Sequence, residues 1–205
     1  MKRPSTLSRL WSISLIMLSS TAAVTAHAVQ SSSTQSMIQS NPQSVVALKA
    51  SPLQPGQNRV TFESGGETLV GHLYLPATYQ TGDKLPAVVV TGAWMTIKEQ
   101  MAGTYAQKLA EQGFAALAFD STSFGESSGQ LRSFESPTVK IADIKNAVSF
   151  LQTVDAVDPN RIAGLGICAS AGYMAVAAAE DSRIKSLITV APWIHSPEIV
   201  NAVYG

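Results

Sequence analysis

From Asn58 onward the apolar positions fall into two periods. Val60 and Phe62 alternate with polar residues, Ser64-Gly65-Gly66 interrupts, and Leu69, Gly71, Leu73 and Leu75 alternate again. Alternation on both sides of a glycine turn predicts an antiparallel hairpin, with His72 on the surface face, opposite the leucines. Residues 86–92 form a continuous apolar run closed by glycine, which suits a strand buried on both faces. Ile97, Met101, Tyr105 and Leu109 then recur at four-residue spacing, which marks a helix, and Gly113 ends it. Residues 114–119 are a second buried strand, delivering Asp120 and the loop 125–129.

Ser136-Pro137 marks the start of a helix whose Ile141, Ile144, Val148 and Leu151 share one face. Asp158-Pro159-Asn160 turns the chain into the apolar strand 162–166, and an alanine-rich helix follows directly. Residues 187–191 make one more strand, stopped by Pro192, and Pro197–Tyr204 has a helical pattern again. Strands alternating with helices in this way give an α/β class: a mostly parallel sheet with an N-terminal antiparallel hairpin and helices on both faces. In such sheets the loops at the carboxyl ends of the strands build the site.

The first 57 residues read differently. Lys2, Arg3 and Arg9, the apolar stretch 10–18 and Ala26-His27-Ala28 are the three parts of a secretory signal, residues 1–28, cleaved after Ala28. The apolar stretch is shorter than the roughly 20 residues of a spanning helix. No cysteine follows it to carry a lipid. An exported protein, periplasmic or secreted, is expected, with no stable membrane association after cleavage. Residues 29–57, rich in Ser, Gln, Thr and Pro, are expected to be a flexible linker, which leaves 58–205 as the folded domain.

Composition narrows the chemistry. With 205 residues and 45% hydrophobic content the chain holds one domain's worth of core. A formal net charge of +0, without a basic cluster beyond the N-terminus, argues against a nucleic-acid partner. The single cysteine excludes an internal disulfide framework and a cysteine-based zinc site. The three histidines are scattered, so no metal-ligand constellation is expected either.

That single cysteine sits where strand becomes helix, in Arg-Ile-Ala-Gly-Leu-Gly-Ile-Cys-Ala-Ser-Ala-Gly, residues 161–172. Gly166 lies two positions before Cys168 and Ser170 two after, the G-x-S-x-G spacing of a nucleophile elbow with Cys for Ser. A side chain held out on so tight a turn needs small neighbours on both sides. A thiolate there would face the positive end of the helix dipole, and the Ala169 N–H could receive an oxyanion. A second register is open: Ser170 is itself flanked by small residues, Cys168 and Gly172, and would become the nucleophile if the turn moved two residues into the alanine run.

Residues 161–172 resemble the elbow of α/β-hydrolases, and the cysteine is similar to that of the dienelactone-hydrolase-like branch. The resemblance implies cleavage of an ester, lactone, thioester or amide of a small-molecule acyl substrate through an acyl-Cys168 intermediate, without a cofactor. A Ser170-dependent esterase and a Xaa-Pro-type peptidase are neighbouring possibilities. It implies a second oxyanion donor in Gly92-Ala93-Trp94-Met95, from the N–H of Ala93 or of Trp94. Glu99 lies in the region where such enzymes place a carboxylate, although a solvated helix glutamate is expected there. Triad members follow the order nucleophile, acid, histidine. After Cys168 this chain offers only Asp181, expected at the far end of the sheet, and His195, outside the family's positions. Two further strand–helix units, bearing acid and histidine, are therefore expected beyond Gly205. For the chain as it stands, the rival from another class is a non-catalytic hydrolase-fold binding protein.

Overall fold

The structure, a computed structural model, describes residues 52–204. The expected signal segment and most of the expected linker lie outside the described residues. The alternating segment forms the hairpin: β1 (Gly56–Ser64) and β2 (Glu67–Leu75) pair antiparallel from Gly56 opposite Leu75 to Ser64 opposite Glu67. Strand structure thus starts ahead of Asn58, and Leu53 already packs against the core. The chain continues through β3 (Leu85–Thr91), α1 (Met101–Glu111), β4 (Ala115–Phe119), α2 (Pro137–Thr153), β5 (Val157–Ile167), α3 (Ala169–Glu180), β6 (Ile184–Val190) and α4 (Pro197–Tyr204).

All six strands join one sheet in the order β1-β2-β4-β3-β5-β6. β2 meets β4 antiparallel, and β4, β3, β5 and β6 run parallel. Successive side chains of a strand face opposite ways, so β3 supplies Ala87 and Val89 to one core, and Val88 and Val90 to the other. The first core lies under α2 and α3 and takes Leu69, Leu73 and Leu75 from the hairpin; the second lies under α1. The expected α/β sheet with helices on both faces is the one found.

Local signals explain most boundaries. Ser136 caps α2 by accepting the Val139 N–H, with Pro137 at the first helical position, where its missing N–H costs nothing. Ile144, Val148 and Leu151 are buried along α2. Asp158-Pro159-Asn160 falls within β5 as a bulge: Leu85 pairs with Val157, then Ala87 with Ile162. Gly164 leaves room for Met174 of α3 against β5: a Cβ there would lie 2.3 Å from Met174 Sδ, and the methionine would have to turn aside.

Two expectations need correction. Helix α1 starts at Met101, after Ile97, and buries Ala102, Gly103, Ala106 and Ala110, while Met101 and Tyr105 stay more than a third exposed. Small residues let the helix approach the sheet: a Cβ on Gly103 would stand 2.5 Å from the Lys98 carbonyl oxygen. The large apolar residues, one step round the helix, are left at its flank. The second correction is His72, which is only 9% exposed and not a surface residue. It faces the side of the sheet covered by α1, where buried charge collects.

Candidate active site

The parallel strands β3, β4 and β5 bring three connections to one end of the sheet: the loop 92–100, the loop 120–136 and the turn at Cys168. At that turn β5 ends at Ile167 and α3 begins at Ala169, leaving one residue between. Cys168 takes φ 56 and ψ −120, a conformation that non-glycine residues adopt at a cost of about 1–3 kcal/mol. The surroundings hold it there. Its N–H donates to the Val190 carbonyl (3.0 Å), and its carbonyl accepts the N–H groups of Ala171 (3.1 Å) and Trp193 (3.0 Å).

Gly166 completes the turn: a Cβ there would meet Ser170 O at 2.4 Å and Ala171 Cα at 2.7 Å. Gly172, by contrast, has room, with Ile194 Cγ1 at 3.8 Å from its virtual Cβ. Ser170 is therefore not at the turn. It is the second residue of α3, buried, and borders a crevice of about 10 Å³ with Thr91, Ala93 and Thr96. That is about the space of a single water. Ala169 occupies the first helical position, where a backbone N–H has no partner within the helix.

Ala93 and Trp94 lie beside this turn. Thr91 pairs with Gly166 and its hydroxyl donates to the Leu165 carbonyl (3.3 Å), so the loop leaving β3 runs alongside the end of β5. The Trp94 ring stacks on Trp193 at 6.0 Å, and His195 stands edge-on to Trp193 at 4.6 Å. Cys168, Ala169, Ala93 and Trp94 are thus gathered at one place. Asp181 is not: it caps the far end of α3 and pairs with Arg183. His195 is exposed, and among the described residues no hydrogen bond joins Cys168 Sγ to a histidine or carboxylate. Two open grooves of about 740 and 750 Å³ are lined from the other end of the sheet, and neither includes Cys168.

The pattern of apolar residues gave no warning of the charge buried next to the site. Lys98, 1% exposed, places its ammonium 2.7 Å from Asp120 Oδ2, 2.7 Å from Glu99 Oε1 and 2.6 Å from Glu126 Oε2. Burial works against the ammonium, but hydrogen bonds to Asp120, Glu126 and Glu99 outweigh it and raise its pKa. Glu99 is exposed, as expected, but it lies in the turn before α1 and not in the helix, with its carboxylate on the Lys98 ammonium. His72 is not isolated either: a ring nitrogen lies within 4.8 Å of carboxylate oxygens of Glu99 and Glu126, although its Nδ1 makes no hydrogen bond. The cation already between those two carboxylates is Lys98. Burial, then the Lys98 charge, lowers the His72 pKa.

A second cluster surrounds Glu135, which accepts from Lys140 Nζ (2.8 Å), the Tyr173 hydroxyl (3.2 Å) and the Met95 N–H (3.4 Å). Burial, then Glu135, pushes the Tyr173 pKa up to about 12. Sequence offers one clue to the first cluster: Asp120 closes a fully apolar strand, where a carboxylate needs a buried partner.

A family profile described as PET hydrolase-like matches residues 26–202. The chain is 40% identical over 136 residues to the uncharacterized protein YcjY of Escherichia coli, covering 65% of this chain and 44% of that protein. It is 33% identical over 141 residues to a thiohydrolase of Eupenicillium brefeldianum, covering 68% and 44%. Among solved structures, hypothetical protein PA2218 of Pseudomonas aeruginosa is similar with 41% identity and a TM-score of 0.63, covering 67% of this chain and 43% of that one. The α/β hydrolase GrgF of a Penicillium species follows at 26% identity and TM-score 0.64, covering 71% and 50%. The chain spans less than half the length of the curated relatives it matches.

Proposed function

Since the chain belongs to the PET hydrolase-like family of α/β-hydrolases, we propose that it is a hydrolase acting by acyl transfer through Cys168. The observation that carries this reading is the strained backbone of Cys168, a non-glycine residue at φ 56 between a parallel strand and a helix. Strain of this kind persists where the surroundings enforce it, and it holds a reactive side chain clear of the sheet. The sulfur attacks the substrate carbonyl, a C–S bond forms, and the carbonyl electron pair moves to oxygen. The N–H of Ala169, with one from the Ala93-Trp94 segment, receives that oxyanion. Its collapse breaks the bond to the leaving group, which departs as alcohol, thiol or amine by taking a proton from water; water or hydroxide then cleaves the acyl-Cys168 thioester, releasing the carboxylic acid and restoring the Cys168 thiolate. Nucleophile, base and oxyanion donors suffice for this chemistry without a cofactor.

Thioesters and carboxylic esters are the substrates to try first, because one relative is named a thiohydrolase and a neighbour of the same fold is described as Est1E with bound ferulic acid. We also infer export through the signal at residues 1–28, so that the mature protein begins at Val29. The test is turnover of p-nitrophenyl and thioester substrates at about pH 9, where an ordinary thiol is mostly ionised. Cys168→Ala is expected to abolish turnover and Ser170→Ala to keep most of it. Activity retained by Cys168→Ala would refute the reading.

A further inference from the structure

His72 is the orphan of the buried charge cluster. It is 9% exposed, and neither ring nitrogen has a hydrogen-bond partner among the described residues. A neutral imidazole carries one N–H and one lone pair, and burying either without a partner costs free energy. The ring is nonetheless held: Tyr74 stands edge-on to it at 6.2 Å. In the sheet His72 lies opposite Ala118 of β4 and Arg59 of β1, and opposed residues share a face.

Beside the imidazole are two carboxylates. A ring nitrogen and one oxygen each of Glu99 and Glu126 all lie within 4.8 Å of one another. Zinc–ligand bonds of about 2.0–2.2 Å put neighbouring donors about 3–4 Å apart, so a small rotation of either glutamate closes the set. Both side chains have that freedom, being 47% and 50% exposed.

Lys98 does not use up these donors. Its ammonium meets Oε1 of Glu99 and Oε2 of Glu126, while Glu99 Oε2 accepts no hydrogen bond among the described residues. Glu126 Oε1 meets the Arg59 guanidinium at 3.2 Å, a contact more than half exposed on the arginine side. Charge points the same way. Asp120, Glu99 and Glu126 face one buried ammonium, and the solvent-screened Arg59 offsets little of the remaining negative charge. A divalent ion balances it.

We propose that His72, Glu99 and Glu126 form a binding site for a divalent ion of the zinc class, with Lys98 orienting both carboxylates and Arg59 displaced on binding. One imidazole nitrogen and two carboxylate oxygens suit Zn²⁺ better than Ca²⁺ or Mg²⁺, which take oxygen ligands. Carboxylate ligands held by a hydrogen-bonding partner are the usual arrangement around a bound metal, and Lys98 supplies that partner. The ligands come from β2, from the turn before α1 and from the loop after β4, so the ion ties three segments together. The role is structural, and no ligand of this site has a part in acyl transfer.

The test is calorimetric titration of the full chain with ZnCl₂ at about pH 7.5, where an ordinary histidine is neutral. Cys168→Ala is the background, so that the thiol is no competing ligand. One Zn²⁺ per chain should bind. His72→Gln and Glu99→Gln should each weaken binding by about tenfold or more, and Arg59→Gln, which removes the competing cation, should tighten it. CaCl₂ should give no comparable binding. In thermal melts, Zn²⁺ at about 100 times its Kd should raise Tm by about 5–10 °C, and by at most about half of that in Glu99→Gln.

Unchanged affinity in either glutamine variant, equal affinity for Ca²⁺, or no Zn²⁺ binding tighter than about 1 mM would overturn the proposal. If His72→Gln unfolds, Glu99→Gln at the exposed position decides: about tenfold weaker binding supports the site, and unchanged binding overturns it.

Discussion

Gly166→Ala and Gly172→Ala should act in opposite directions, although both glycines flank the same short motif. At Gly166 the added methyl would sit 2.4 Å from Ser170 O, 2.7 Å from Ala171 Cα and 2.8 Å from Ser170 C. All three are backbone atoms of the first turn of α3, so no rotamer change relieves the clash. Overpacking costs about 1–3 kcal/mol where side chains can give way, so about 3 kcal/mol is expected here. In a domain of this size that lowers Tm by about 6–12 °C. At Gly172 the nearest atom would be 3.8 Å away, an ordinary contact, and alanine is favoured over glycine in a helix by about 1 kcal/mol. Gly172→Ala should raise Tm by about 2–4 °C. Thermal melts by circular dichroism, with urea midpoints to check that the slope is unchanged, would measure both. If Gly166→Ala were tolerated and Gly172→Ala damaging, the tight turn would be centred on Ser170 and the reasoning refuted.

Strain at Cys168 makes a second forecast: Cys168→Gly should be more stable than Cys168→Ala by about 1 kcal/mol, because only glycine takes φ 56, ψ −120 without cost. Equal melting temperatures would mean that the turn is not strained. His72 makes a third. Burial and the Lys98 charge hold its pKa below the ordinary 6.5, against the opposing pull of Glu99, Glu126 and Asp120, so the unfolded chain takes up the proton first. Its contribution is complete above about pH 6.5 and is lost as pH falls through the folded value. Urea midpoints from about pH 7.5 to 5.5 should drop in wild type and drop less in His72→Gln. An identical drop in both would assign the effect elsewhere.

The sheet could be read in the sequence because its hairpin alternates, its central strands β3 and β4 are apolar on both faces, and glycine, proline and a capping serine punctuate them. The Cys168 turn could be read because it compresses a strand, one strained residue and a helix into a few positions whose spacing is itself the steric rule. Helix α1 lies where it was expected, apart from Ile97 ahead of its start, but its buried face was not legible: hydrophobic periodicity marks large residues, while close helix–sheet packing selects Ala102, Ala106 and Ala110. The charge cluster was invisible because His72, Lys98 and the pair Asp120 and Glu126 come from three separate segments and meet only once the sheet has formed. The burial of Lys98 and Asp120 depends on their pairing, which no local pattern records.

The central claim is that Cys168 carries the acyl group, and the most direct measurement is peptide mass spectrometry of protein quenched in acid during reaction with p-nitrophenyl acetate. The acetyl group should be found on Cys168, persist in Ser170→Ala, and be absent from that peptide in Cys168→Ala and from unfolded protein under the same conditions. An acetyl group on Ser170, or acylation of folded and unfolded cysteine at the same rate, would contradict the account.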